Sequence, residues 1–348
     1  MDYDPSVLTA AQVTAEARAA QVVASPAFSL AQYLPDRTND SLSFNFDASQ
    51  TSLPQAASYR AFDATADFGS TEGTQSRSGR IPPISRMLRV DEFDTLVQQI
   101  DGGPILENTY RSYARRIAGQ IQTRVELARG QALEFGQVTL DERRLKVTID
   151  FGRKASHSVT AATLWSNPAA DILGDLTAWN AVYTASNGST WADVLVSTQI
   201  ATYMQRNTGI ITAALGRTDS LPPIVSRDAV QQVLDAFGLG RVVVNDEQAV
   251  GTNGAAKRVI SANKVVFLPS TSSISLSGDG GTALGGVDWG ITAESVSPKY
   301  GITAAERAGI FGGVFSDNNP EGRYVLLSAT ALPVLEKANA TFVAQVAA

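Results

Sequence analysis

The stretch ENTYRSYARRIAGQIQTRVELARGQALEF, residues 107–135, decides how the rest of the chain is read. Tyr110, Tyr113, Ile117, Ile121, Val125, Ala128 and Ala132 recur there at intervals of three and four, and Leu106 extends the series. With no proline to interrupt it, that spacing predicts one amphipathic helix. At about 1.5 Å per residue it spans roughly 40 Å, and Gly136 supplies its stop. The opposite face carries Arg111, Arg115, Arg116, Arg124 and Arg129. Solvent, acidic neighbours or phosphate would suit such a face, so these five are the candidates for a basic inner surface.

Towards the N-terminus the pattern changes. A short helix is expected at 91–100, stopped by Gly102, Gly103 and Pro104. Before it, 39–85 holds two alternating runs, Leu42, Phe44, Phe46 and Phe62, Ala64, Ala66, Phe68, which read as strands. From Gly69 to Arg80 there is no apolar residue, so that segment has no core of its own. The region reads as a long two-stranded arm, and an isolated ribbon of two strands is marginal in water. A neighbouring subunit would cover it, which makes Phe44, Phe46, Phe62, Phe68, Arg77 and Arg80 candidates for contacts between subunits. Further out, 6–23 is an Ala-rich, weakly amphipathic helix without an evident partner. Phe28, Leu30, Tyr33 and Leu34, bracketed by Pro26 and Pro35, form an apolar anchor.

Towards the C-terminus, Val138 and Leu140, a turn at Asp141-Glu142, then Leu145, Val147, Ile149 and Phe151 predict a hairpin. Residues 165–185 form helix or loop, and Asn187-Gly188 marks a break. Beyond it we expect a helix at 191–205, a strand at 210–215, and a helix at 228–237 between an N-cap at Ser226 and a stop at Gly238. Strands at 241–244 and 264–268 complete a mixed α/β module. After the Gly-rich stretch 278–290 and the polar loop 316–322, strand-like runs at 324–329 and 340–346 would return to the first region. The chain is thus read as α+β: an N-terminal arm (1–38), an extended two-stranded loop (39–85), a domain built on the spine helix (86–188), an α/β domain (189–322) and a C-terminal return (323–348).

Chemistry is sparse. The 348 residues are 44% apolar, enough for a real core, and none is cysteine, which removes disulfides and thiolate chemistry. A net charge of −6 argues against general affinity for nucleic acid but allows a locally basic face. His157 is the one histidine, so a serine-hydrolase triad would have to pass through it, and no Gly-x-Ser-x-Gly elbow occurs. The pairs Asp91-Glu92, Asp141-Glu142 and Asp246-Glu247 suit a helix start, a turn and a strand end better than acid–base work. No catalytic, cofactor or metal site is expected. Nor is a membrane span or a secretory signal, which points to synthesis in the cytoplasm.

The order of parts resembles that of the major capsid proteins of tailed bacteriophages with the Hong Kong 97 type of fold, and within them the lambda-type capsid family. Residues 28–35, 124–136 with Glu126, Ala132, Leu133 and Gly136, and the string Gly285-Gly286-Val287-Asp288-Trp289-Gly290 carry the resemblance. So do 265–269, 317–324, Leu332-Pro333-Val334 and Asn339-Ala340-Thr341. It implies a virion shell protein that self-assembles into hexamers and pentamers around double-stranded DNA, contacting that DNA non-specifically. The extended loop would lie over a neighbour, with the spine helix in a peripheral domain and the α/β domain near the capsomer axis. A decoration protein, a scaffold and a portal are its implied partners. An encapsulin-like compartment shell is the alternative within the same fold. The first lysine is Lys146, so a cross-link from a lysine in the extended loop is excluded.

Overall fold

The computed structural model describes residues 2–24, 29–48, 75–90, 96, 104–142, 145–251, 254–270, 284–318 and 321–348. The chain begins with β1 (Asp2–Tyr3), helix α1 (Ala10–Ala24), β2 (Asp36–Thr38), β3 (Ser43–Ala48), β4 (Gln75–Arg80) and β5 (Pro83–Val90). The spine helix α2 (Pro104–Phe135) and the hairpin β6 (Gln137–Glu142) and β7 (Leu145–Asp150) follow. Next come β8 (Ser158–Thr160), α3 (Ile172–Asn187), β9 (Asp193–Val196), α4 (Thr198–Arg206), α5 (Thr208–Leu215), α6 (Arg227–Ala236) and β10 (Arg241–Val244). Then β11 (Gln248–Val250), β12 (Ala256–Arg258) and β13 (Lys264–Leu268) lead to β14 (Gly286–Gly290), α7 (Ala293–Val296), β15 (Phe311–Asn318), β16 (Glu321–Val334) and β17 (Phe342–Gln345).

Two sheets organise these elements. The first runs β1-β15-β16-β14-β2, with β5 also on β16, and the long strand β16 is its centre. The second runs β10-β9-β13-β17-β8. Each sheet buries a face because its strands carry β-branched and aromatic residues: β13 reads KVVFL and all four residues of β9 are buried.

Helix α2 is long enough to serve both sheets. Its early stripe, Tyr110, Ala114, Ile117, Ile121 and Val125, shares a core with Trp289, Val325 and Leu327 of the first sheet. Its last turns, Leu127, Ala128, Ala132 and Leu133, join a core that includes Leu195 and Val266 of the second. There Gly130 is required, since a Cβ would lie 2.0 Å from the Val259 carbonyl oxygen. The other face of the second sheet packs under α3 to α6 around Trp165, Tyr183, Trp191, Phe267 and Phe342, with the Trp191 and Phe267 rings 4.3 Å apart. Burying each such side chain stabilises the fold by roughly 1.5–3 kcal/mol.

Several expectations need correction. The strand expected at 210–215 is helix α5. The Asn207 side chain accepts the Ile210 N–H at 3.0 Å, Gly216 closes the last turn with φ 61°, and Ile210 and Ile211 are buried as neighbours, not in alternation. The helix expected at 191–205 begins only at Thr198, behind the cap Ser197, because Asp193–Val196 is a strand buried between β10 and β13. Gln75–Arg80, in the segment read as coreless, pairs with β3 from Ser43↔Arg80 to Ala48↔Gln75. The second run of the arm, 62–68, lies outside the described residues, as does the helix expected at 91–100 apart from Leu96.

The boundaries shift as well. The return expected at 323–348 divides between the sheets, β16 centring the first and β17 sitting between β13 and β8 in the second. Strands β14 and β15, assigned by sequence to the α/β domain, belong to the first sheet, and β8 and α3 belong with the second. The N-terminal arm, finally, is packed on its own body. Leu8, Val13 and Ala17 enter the core beneath α2, and β1 pairs with β15.

Candidate assembly surfaces

The surfaces the chain can offer depend on what holds its two sheets together. Residues 29–38 form a strap between them. Leu30 and Leu34 are fully buried, and the Leu30 N–H donates to Glu126 Oε1 at 2.9 Å. Tyr33 donates its hydroxyl to Asp193 Oδ2 of β9 at 2.8 Å, and burial against that carboxylate pushes the phenol pKa well up. Ser29 donates to Glu247 Oε2 at 2.7 Å. At the other end Asp36 meets Arg129, and Arg37 meets Asp288 and Glu336, the latter at 2.7 Å. Buried Arg129 also pairs with Glu126 at 2.7 Å. Burial nevertheless raises the Glu126 carboxyl above its ordinary value, Arg129 and the Leu30 N–H offsetting only part of that.

The end of α2 is closed by Arg153, which donates to the carbonyls of Leu133 at 2.9 Å and Glu134 at 2.6 Å and to the Thr341 hydroxyl at 3.2 Å. A cation on the last carbonyls of a helix satisfies orphan acceptors and suits the dipole. Burial brings that guanidinium down to about 10, still charged at neutral pH. At the opposite end of the body, α1 lies close on β15. Thr14 Oγ1 accepts the Gly312 N–H at 3.0 Å, and a Cβ on Gly312 would meet Val13 Cγ1 at 2.7 Å.

The candidates for contact between subunits separate in this frame. Phe44 is 4% exposed in its own chain's core and its ring packs against Gly79, so the contact role given to it by sequence is corrected. Phe46 packs at its edge, 6.4 Å from the Phe151 ring. Arg77 donates to the Asp150 carbonyl at 2.7 Å, and Arg80 is exposed. Phe62 and Phe68 lie outside the described residues.

The five arginines of α2 also divide. Arg111 pairs with Glu107 at 2.7 Å and Glu16 at 3.0 Å, Arg115 with Glu16 at 2.7 Å, and Arg124 with Glu142 at 3.0 Å. Arg116 is exposed. Arg129 is 3% exposed, so its place on a solvent face is corrected: a buried guanidinium needs its two carboxylates and has no surface to offer. Sequence reasoning read the apolar anchor at Leu30, Tyr33 and Leu34, which is buried, but not the polar ties that make it a strap. The signal for those ties was Glu126 with Arg129 three residues on, a spacing equally common on exposed helices.

His157 is fully buried. Its ring nitrogens lie 3.2 Å from the Thr341 carbonyl and 3.1 Å from Ser186 Oγ, and burial lowers its pKa. Of the acidic pairs, Asp246 accepts from Thr198 at the start of α4, which holds its carboxyl below the usual range, while Glu247 holds the strap. Among the described residues no cluster of acids and histidine could hold a metal, and no helix is long and apolar enough to cross a membrane.

The described body is α+β, two sheets that share one long helix, with the hairpin of β3 and β4 pairing only within itself. The family model for phage major capsid protein E matches residues 9–346, and the chain belongs to that family. It is a structural protein of the virion capsid, not an enzyme, and assembles into capsid oligomers. No curated protein matches it. Among solved structures, a prophage protein of E. coli CFT073 given as a capsid protein is 14% identical with a TM-score of 0.62, covering 98% of this chain and 99% of that one. A phage-related protein of Bordetella bronchiseptica RB50 is 12% identical with a TM-score of 0.57, covering 99% and 98%. At these identities the likeness is one of fold.

Proposed function

We propose that the chain forms the hexamers and pentamers of an icosahedral shell of the Hong Kong 97, lambda-like type, assembled in the cytoplasm of a bacterial host around double-stranded DNA. The observation that carries this reading is the hairpin of β3 and β4. It joins neither sheet, and among the described contact candidates Phe44, Phe46 and Arg77 root it in the body. The connecting residues 49–74 would then lie over a neighbour. The second sheet would face the capsomer axis, and exposed Arg116 would meet packaged DNA without sequence preference.

Without a lysine before Lys146, the extended loop cannot supply the amine of an isopeptide cross-link, so shell strength would come from buried area, interlocked arms or a separate decoration protein. A decoration protein, a scaffold and a portal complete this proposed set of partners. Electron microscopy of the purified chain tests it. Closed shells or capsomers with six- and five-fold symmetry are expected, and a monodisperse monomer under every assembly condition would overturn it.

A further inference from the structure

The hairpin of β6 and β7 is covered on one strand and bare on the other. The two strands pair only with each other, and among the described residues no strand pairs with the outer edge of β7. Val138 and Leu140 of β6 are buried in the core that takes in the end of α2. Leu145 and Val147 of β7 lie on the same face but are 37% and 40% exposed. On the opposite face the Lys146 side chain is 84% exposed, with Asp141 3.8 Å from its amine.

Two bonds fix which backbone groups that edge offers. The Phe151 N–H donates to the Gly136 carbonyl at 2.9 Å, so residue 151 and, by alternation, 149, 147 and 145 turn their N–H and C=O towards β6. Residues 146, 148 and 150 turn theirs outward, and Arg77 reaches the Asp150 carbonyl at 2.7 Å from that side. The Thr139 and Thr148 hydroxyls, 3.4 Å apart across the hairpin, fit the close, non-hydrogen-bonded pair that this parity requires.

These outward groups are complementary to their own image. A second β7 laid antiparallel, with Thr148 opposite Thr148, brings Lys146 opposite Asp150 on both sides of the centre and Val147 opposite Ile149 on the apolar face. Outward residues then meet outward residues, the pairing in which N–H and C=O are exchanged. The Asp150 carbonyl keeps a second lone pair beside the one that Arg77 uses. Moving the centre to Lys146 or to Asp150 would set like charges opposite each other, which is unfavourable.

We infer that the open edge of β7 pairs antiparallel with the β7 edge of a second copy, across a two-fold axis at Thr148. Such a contact is isologous, unlike the head-to-tail contacts that close a ring, so it joins subunits of different rings. It rests on the shell reading for its repetition, because an edge this short makes a small contact that gains strength only where symmetry multiplies it.

The test uses the full chain, which has no cysteine of its own. Thr148→Cys, assembled under a mild thiol oxidant, should form a disulfide between copies, since residues in a hydrogen-bonded antiparallel pair have Cα atoms about 5.5 Å apart. Thr139→Cys and Lys146→Cys are the controls. Each would lie roughly 14 Å from its own image, out of reach of a disulfide, so the linked fraction should be about ten-fold higher for Thr148→Cys. Thr148→Pro removes an outward N–H, which an edge strand tolerates, and should lower the assembled fraction in sedimentation roughly ten-fold.

Thr148→Cys linking no better than Thr139→Cys overturns the inference, as does a link formed by Lys146→Cys, which would mean another register. So does normal assembly of a folded Thr148→Pro variant, and if that variant misfolds the cysteine comparison decides. Failure of the unaltered chain to assemble counts against the shell reading, and the same cysteine comparison on the concentrated free chain then decides the β7 contact by itself.

Discussion

Helix α2 carries two arginine clusters of opposite character. Near its start Arg111 and Arg115 share Glu16, Arg111 also holds Glu107, and the Arg115 side chain is 58% exposed. Several turns on, Arg129 is 3% exposed between Glu126 and Asp36. The first cluster sits in high dielectric, where an ion pair gains little and salt screens it. The second has been taken out of water, where each charge is tolerable only because its partner is present. Both follow from the same helix and the same residue type, so it is what packs over the helix, α1 in one case and the strap in the other, that decides what an arginine is for.

The largest test of that contrast is Arg129→Ala, which leaves Glu126 and Asp36 without their partner. A loss of about 3–5 kcal/mol is expected in urea unfolding of the unassembled subunit, and a loss no greater than that of a surface arginine would break the comparison. Next comes Gly130→Ala. Its Cβ meets the backbone of residue 259, not a yielding side chain, so it should cost about 1–3 kcal/mol by the same measurement.

Acid should act on the buried region too. With its pKa depressed by burial in the fold, His157 stays neutral in both states above the unfolded value, and no stability is lost there. Below about pH 6.5 the unfolded chain takes a proton that the folded one refuses, at a cost of up to about 1.4 kcal/mol per pH unit until the folded value is reached. Thermal melts between neutral pH and pH 5 should therefore fall less steeply in His157→Gln than in the unaltered chain. The smallest effect is expected for Arg115→Ala, below about 0.5 kcal/mol and vanishing in high salt.

The spine helix was legible because its stripe, its freedom from proline and its glycine stop all act within the helix itself. The hairpin of β6 and β7 and the capped helix α6 were legible for the same reason. Strand β5 was missed because Pro82-Pro83 and two exposed arginines hide its alternation, and only its pairing to β16 makes it a strand. Helix α5 was missed because GIITAAL has strand-like composition, and the deciding group, the Asn207 side chain, takes its orientation from the distant carbonyls of Pro168 and Ala170. The depth of Arg129 was not readable either. It depends on Asp36, which lies 93 residues away in sequence.

The placement of β17 has a consequence in time. Because Phe342–Gln345 lies between β13 and β8, the second sheet stays divided until residue 345 has been synthesised, and α1 likewise waits for Gly312 before it can dock. A growing chain therefore cannot present either finished half early.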